Sequence, residues 1–201
     1  MKGLLVDYGG VLTTSVIESF GAFSHAEALE ADAIRRLFRE DAEALADIHA
    51  LERGRLEDAE FERRFAARLG VEPSGLLGRM FAAAAPDEAM IAAVRTARES
   101  GLPTALVSNS WGLEMYDRSL LGALFDAVVI SGEVGLRKPD APIFLLAAER
   151  LGLAPAECAM VDDLHWNVTA ADELGMAGVL HRVADETVAE LERLFGRSLR
   201  G

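Results

Sequence analysis

The chain has 201 residues, 51% apolar and 26% charged, which suits one hydrophobic core, with or without a small accessory domain. A formal net charge of −13 removes the basic footprint that nucleic acid or an anionic membrane surface demands, and no apolar run approaches the ~20 residues that span a bilayer. One cysteine, Cys158, excludes an internal disulfide. With a charge at Asp7, too early for a signal peptide, it leads us to expect a cytoplasmic protein.

The first predicted element is a strand over residues 3–7, the apolar run Leu4-Leu5-Val6 closed by Asp7. No strand pattern follows until past residue 82. Residues 31–50 and 56–69 instead carry apolar positions at helical spacing, with i,i+4 charge pairs such as Glu60 and Arg64. Arg53-Gly54-Arg55 reads as the turn between two helices. From there helices are predicted over 87–100, 113–121, 140–151, 165–174 and 185–195. They alternate with strands over 104–109, 127–131, 159–163 and 178–182. Gly101 and Gly175 stand where helix-ending glycines belong, and Pro139 suits a first helical turn. The expected fold is therefore α/β, a doubly wound parallel sheet built from residues 1–14 and 83–201. A helical cap over 15–82 is inserted after the first strand and overhangs its carboxyl end.

That carboxyl end is where the chemistry gathers. Asp162 and Asp163 close the run Ala159-Met160-Val161 as Asp7 closes the first strand. Neighbouring parallel strands would bring all three carboxylates to one sheet edge, where they repel unless a cation joins them. An all-oxygen donor set of this kind suits Mg²⁺. The chain also carries 18 arginines but only two lysines, Lys2 and Lys138. A lysine kept between Arg137 and Pro139 points to a need for a compact ammonium in place of a planar fork. Cys158, in an apolar setting, reads as packing.

Four elements in order carry a resemblance. They are Asp7-Tyr8-Gly9-Gly10-Val11-Leu12-Thr13, then Val107-Ser108-Asn109-Ser110, then Gly135-Leu136-Arg137-Lys138-Pro139-Asp140, and finally Val161-Asp162-Asp163 followed by Asn167, Ala170, Ala171 and Gly175. Together they resemble the haloacid dehalogenase (HAD) superfamily of aspartate-nucleophile hydrolases over nearly the whole chain. The resemblance implies a Rossmannoid core and a Mg²⁺ ion held by Asp7, the backbone carbonyl of Gly9 and Asp162, with Asp163 in the same shell. It implies that Asp7 attacks phosphorus, giving an aspartyl phosphate that water hydrolyses. Lys138 would then supply the countercharge, and Ser108 and Asn109 would donate to phosphoryl oxygens. The implied partner is a small phosphorylated metabolite, such as a sugar phosphate.

One position departs from the pattern. Most phosphatases of the superfamily carry a second aspartate, the general acid, where this sequence has Gly9. Acid–base assistance is worth ~10² to 10⁴ in rate, so its loss favours good leaving groups such as an anomeric sugar oxygen or a phenol. His49 and His165 are candidate substitutes. The form of the first motif, the turn Leu51-Glu52-Arg53-Gly54 and the run Gly135–Pro139 look most like the bacterial α-D-glucose-1-phosphate phosphatase branch, with the phosphatase domain of epoxide hydrolases as a relative. Two other readings stand beside the phosphatase. A metal-free 2-haloacid dehalogenase also lacks the second aspartate but does not typically keep an acidic pair in the fourth motif, and a phosphate-binding or regulatory protein could keep the fold without turnover. Trp111 and the pair Arg53 and Arg55 are further candidates for the pocket wall.

Overall fold

The computed structural model describes residues 1–200. Strand β1 (Gly3–Val6) leads into five consecutive helices: α1 (Val16–Ala26), α2 (Ala33–Glu40), α3 (Ala42–Glu52), α4 (Asp58–Leu69) and α5 (Leu76–Met80). Alternation then sets in: α6 (Glu88–Glu99), β2 (Thr104–Ser108), α7 (Arg118–Leu124), β3 (Ala127–Ile130), α8 (Ser131–Val134), α9 (Ala141–Arg150), β4 (Cys158–Asp162), α10 (His165–Glu173), β5 (Ala177–Leu180) and α11 (Ala184–Phe195). The strands form one parallel sheet in the order β3-β2-β1-β4-β5. Every residue of β1, β2 and β4 is buried, because helices cover both faces.

Side chains alternate between those faces with the period of two that a strand imposes. Leu4, Val6, Leu106, Ala159 and Val161 pack with Met90 and Val94 of α6, Leu121 of α7 and Leu191 of α11. Leu5, Ala105, Val107 and Met160 pack on the other side with Ile143 and Phe144 of α9 and Ala171 of α10. Cys158 is fully buried on this second face, and burial pushes its thiol up to about 11, in keeping with a packing role.

The helical insertion α1–α5 has a core of its own, with Phe20, Phe23, Ile34, Ile48, Phe61, Phe65, Leu76 and Met80 at its centre. The segments entering and leaving it run side by side. Thr13 and Pro86 form an antiparallel bridge, Thr14 N donates to Ala85 O at 2.8 Å, and Asp87 N donates to Leu12 O at 2.9 Å. No helix among the described residues is long and apolar enough to cross a membrane.

Several predicted boundaries are corrected. The single helix expected over 31–50 is two helices, α2 and α3, broken where Asp41 is extended (φ −116°, ψ 101°) and its carboxylate accepts from the N–H groups of Glu43 and Ala44. The helix expected over 113–121 begins at Arg118 instead. Asp117 caps it through Ser119 N and Leu120 N, and Gly112 at φ +89° precedes it in an irregular loop. The third strand ends at Ile130, and Ser131 already opens α8. The fifth begins at Ala177 and ends at Leu180, short of the expected Arg182. Helix α1 was not expected as a discrete element.

Candidate active site

Strand register brings the predicted acids together. Val6 lies opposite Val161, so the next residue of each strand, Asp7 and Asp162, emerges side by side at the carboxyl edge; Asp7 N donates to Val161 O at 3.0 Å. Asp163 follows in the β4–α10 loop. Ligand oxygens of Asp7, Asp162 and Asp163 all lie within 4.8 Å of one another. Between two of them sits Lys138, from the loop joining α8 and α9. Its Nζ donates to Asp7 Oδ1 at 2.7 Å and to Asp162 Oδ2 at 2.6 Å, and the side chain is 1% exposed. A compact ammonium suits a bridge between two carboxylates at that burial better than a planar guanidinium, in keeping with a lysine at this position.

The charges do not balance. Ionised together, three carboxylates and one ammonium would leave two negative charges in a largely buried cluster. Burial raises the Asp7 pKa well above its usual range; Lys138 opposes this, and Asp162 and Asp163 add to it. Burial and Asp162 together push Asp163 up to about 6. Although burial depresses an ammonium, Asp162 and Asp7 more than offset it, and the Lys138 pKa lies above its ordinary value. A divalent cation among hard oxygen donors would restore neutrality. A further acceptor is at hand: Asn167 donates to Asp162 Oδ1 at 3.0 Å, while its own buried Oδ1 has no hydrogen-bond partner among the described residues. The donor set therefore fits a hard divalent cation.

The β1–α1 turn is shaped around these acids. Tyr8 N donates to Asp7 Oδ1 at 2.7 Å. Gly10 has φ +75°, and a Cβ there would lie 2.4 Å from Asp163 Oδ2, so only glycine lets the two loops meet. At Gly9, which lines the cavity, a Cβ would lie 3.0 Å from Val16 Cγ2, so Val16 would have to give by a few tenths of an ångström.

Ser108 ends β2 next to β1, and its hydroxyl lies 2.8 Å from the Tyr116 hydroxyl, both buried. Asn109 makes a contact within the protein that the sequence did not suggest. Its carboxamide grips the backbone of Lys138 at both ends, Nδ2 donating to Lys138 O (3.0 Å) and Oδ1 accepting from Lys138 N (2.8 Å). It thereby holds the lysine backbone in place.

With this geometry in view, comparison with known proteins is decisive. The haloacid dehalogenase-like hydrolase family profile matches residues 1–175. The chain belongs to this family. Bifunctional epoxide hydrolase 2 of Sus scrofa is 31% identical over 117 residues, covering 55% of this chain and 21% of that protein. The fructose-1-phosphate phosphatase YqaB of Escherichia coli is 37% identical over 87 residues, 43% of this chain and 42% of that protein. These matches therefore span less than half of either curated relative. Among solved structures, a HAD-family enzyme of Bacteroides thetaiotaomicron in a magnesium complex superposes with a TM-score of 0.70 at 23% identity, over 96% of this chain and 98% of that one, and shares the fold.

In this HAD-like hydrolase a cavity of about 670 Å³ opens above Asp7, between the sheet edge and the helical insertion. Asp7, Gly9, Ser108, Asn109, Lys138 and Asp163 line it; Asp162 lies beneath, fully buried against Lys138. Trp111 lines it too, with ring centroids 5.5–6.0 Å from Phe20, Phe38, Phe61 and Phe81 of the insertion. His49 reaches the cavity, but burial together with Arg137 and Arg53 lowers its pKa. His165 is exposed and lies off the cavity, against Trp166. Arg53 pairs with Asp140 at 2.8 Å, and Arg55 is exposed away from the cavity. Sequence reasoning missed Tyr116 as the partner of Ser108. It also missed the buried pair of Arg137 with Glu52 at 2.6 Å. No sequence periodicity signals a contact between residues so far apart.

Proposed function

We propose that this HAD-like hydrolase is a Mg²⁺-dependent phosphomonoesterase acting on a small phosphorylated metabolite, with residues 15–82 serving as a cap over the site. The observation that carries the reading is one buried ammonium bridging Asp7 and Asp162 with Asp163 alongside, a cluster that, fully ionised, is two positive charges short of neutrality. The phosphatase named among the relatives and the magnesium in the Bacteroides complex agree with it.

Asp7, the carbonyl of Gly9 and Asp162 would hold the ion, with Asp163 in the same shell. When bound, Mg²⁺ neutralises the phosphate dianion against the attacking carboxylate. Asp7 attacks phosphorus, a new P–O bond forms, and the ester oxygen leaves with its electron pair. Water then hydrolyses the aspartyl phosphate and returns the Asp7 carboxylate. Lys138 neutralises Asp7 and faces the arriving phosphate. Ser108, whose Oγ lies 2.8 Å from the Tyr116 hydroxyl, can donate to a phosphoryl oxygen when the tyrosine O–H is the donor of that pair. Asn109 fixes the lysine backbone. No acid stands at Gly9, and His49, its pKa lowered, is neutral near pH 7 and a poor proton donor. The reaction then favours leaving groups that depart without a proton.

The test is phosphate release from p-nitrophenyl phosphate and a panel of sugar 1-phosphates, with Mg²⁺ and with EDTA. Turnover that requires Mg²⁺ and vanishes in Asp7→Asn is expected. Silence on every ester while Mg²⁺ binding is measurable would favour a phosphate-binding protein, and metal-free halide release from a 2-haloacid would favour a dehalogenase.

A further inference from the structure

The walls of the cavity carry a second message, which rests on the phosphomonoesterase reading above. Away from the acids they are aromatic. Phe20, Phe38 and Phe81 from the insertion meet Trp111 from the core, with centroid separations of 5.5–5.8 Å to the tryptophan, and all four line the cavity. The mouth is apolar as well: Ile17, Leu45, Met115 and Trp166 line it and are 36–52% exposed, although large apolar side chains are costly to leave in water.

Polar groups on the walls are mostly engaged with one another. Glu52 is paired with Arg137 and Tyr116 with Ser108, and the carboxamide of Asn109 is held by Lys138. Thr13 Oγ1 accepts from Gly10 N and donates to Thr14 O. What stays free is His49, the Tyr8 hydroxyl, Asn167 Oδ1 beside the acids and, at the exposed mouth, Arg35. A hexose brought into this space would bury several hydroxyls with few partners, each unpartnered one costing roughly tenfold in affinity. An aromatic ring would join an existing aromatic cluster at favourable spacing.

Two independent constraints now meet. The glycine at position 9 favours a leaving group that departs unprotonated, such as an anomeric sugar oxygen or a phenol. The aromatic walls favour the phenol, offering a ring a matching surface and a sugar few free partners. We infer that the substrate is a phosphate monoester of a phenolic alcohol, with its ring seated against the face that Phe20, Phe38, Phe81 and Trp111 turn to the cavity.

The inference is tested by comparing kcat/KM, with Mg²⁺, for 1-naphthyl phosphate, phenyl phosphate, n-hexyl phosphate and α-D-glucose 1-phosphate. The naphthyl ester should exceed the phenyl ester by about tenfold through added buried area, and should exceed the glucose ester by ~10² or more. Hexyl phosphate, apolar but a poor leaving group, should trail phenyl phosphate. Phe38→Leu and Phe81→Leu should narrow the naphthyl-to-phenyl ratio. Both tryptophans of the chain line the cavity, so their fluorescence reports occupancy without turnover. Phenylphosphonate should shift it at a concentration about tenfold lower than methylphosphonate. Fastest release from glucose 1-phosphate, or from hexyl phosphate, would overturn the phenolic assignment and leave the phosphomonoesterase standing. No release from any ester, with phenylphosphonate still binding about tenfold more tightly, would overturn the phosphomonoesterase and keep the aryl-phosphate ligand. Equal binding of the two phosphonates would overturn the aromatic seat itself.

Discussion

Lys138 is the residue on which both stability and the proposed chemistry converge. Replacing it with Met leaves Asp7 and Asp162 facing each other in a buried space, and breaking a buried ion pair in this way costs about 3–5 kcal/mol. The loss should shrink at pH 5, where protonation of one carboxylate relieves the repulsion; urea unfolding at pH 5 and pH 7.5 measures it, and a loss equal at both would contradict the buried-charge account. Phosphate release should fall ~10² to 10³ in Lys138→Met and should not return in Lys138→Arg. Asp163 sets a separate pH dependence. Its folded pKa of about 6 exceeds the ordinary 3.8, so the unfolded chain is the more ionised state between those values. The contribution of Asp163 to the stability of the metal-free protein is therefore full below about pH 4 and lost as pH rises through 6. A cation that binds the ionised form reverses this, so the rise in Tm on adding MgCl₂ should grow between pH 5 and pH 7. Thermal melts with and without Mg²⁺ check it, and Asp163→Asn should flatten the trend.

At the scale of elements, local chemistry and long-range contact divide the work. Strands β1, β2 and β4 were legible because a buried parallel strand is a short apolar run, and the acids were legible because each directly ends such a run. The break at Asp41 was hidden, because apolar spacing continues across it and only the capping contact to Ala44 N reveals it. Asp41→Ala should lower stability through loss of the cap, read as a lower urea midpoint. Contact with Ala44 N, ahead of Arg68, lowers the Asp41 pKa, so that stabilisation is present above the ordinary carboxylate range and lost as acid protonates the cap. Gly54 was read correctly as a turn between helices, yet its stronger constraint was invisible in the sequence. Its φ is +63°, and a Cβ would lie 2.3 Å from Gly132 O, where the α3–α4 turn touches α8. Gly54→Ala should therefore destabilise by about 1–3 kcal/mol, more than backbone strain alone predicts at an open glycine such as Gly70. Denaturant titration of the two alanine variants separates strain from collision. Tyr116 lies in the loop where a helix was expected, so the error in placing α7 and the failure to see the Ser108 partner have one cause.

Across the whole molecule, the insertion and the lysine loop are tied through one buried ion pair. Glu52 ends α3 and is 5% exposed; burial raises its carboxyl pKa, against the pull of Arg137. Arg137 Nε donates to it at 2.6 Å and immediately precedes Lys138 in the chain. Nearby, Arg53 reaches Asp140 just past the lysine, so the end of α3 grips the loop on both sides of Lys138. The position of the insertion and the position of the ammonium should then change together. Glu52→Gln and Arg137→Gln should each destabilise by about 3 kcal/mol, because each leaves a charge buried without its partner. The double variant should lose less than the sum of the two, since neither charge remains. Turnover tells a coupled loop from a merely structural pair. If Arg137 holds Lys138 in register, the double variant recovers stability relative to the sum while kcat stays low, because the lysine loop has lost its anchor. Recovery of kcat in step with stability would mean that the pair supports the fold alone and that Lys138 keeps its place through Asn109.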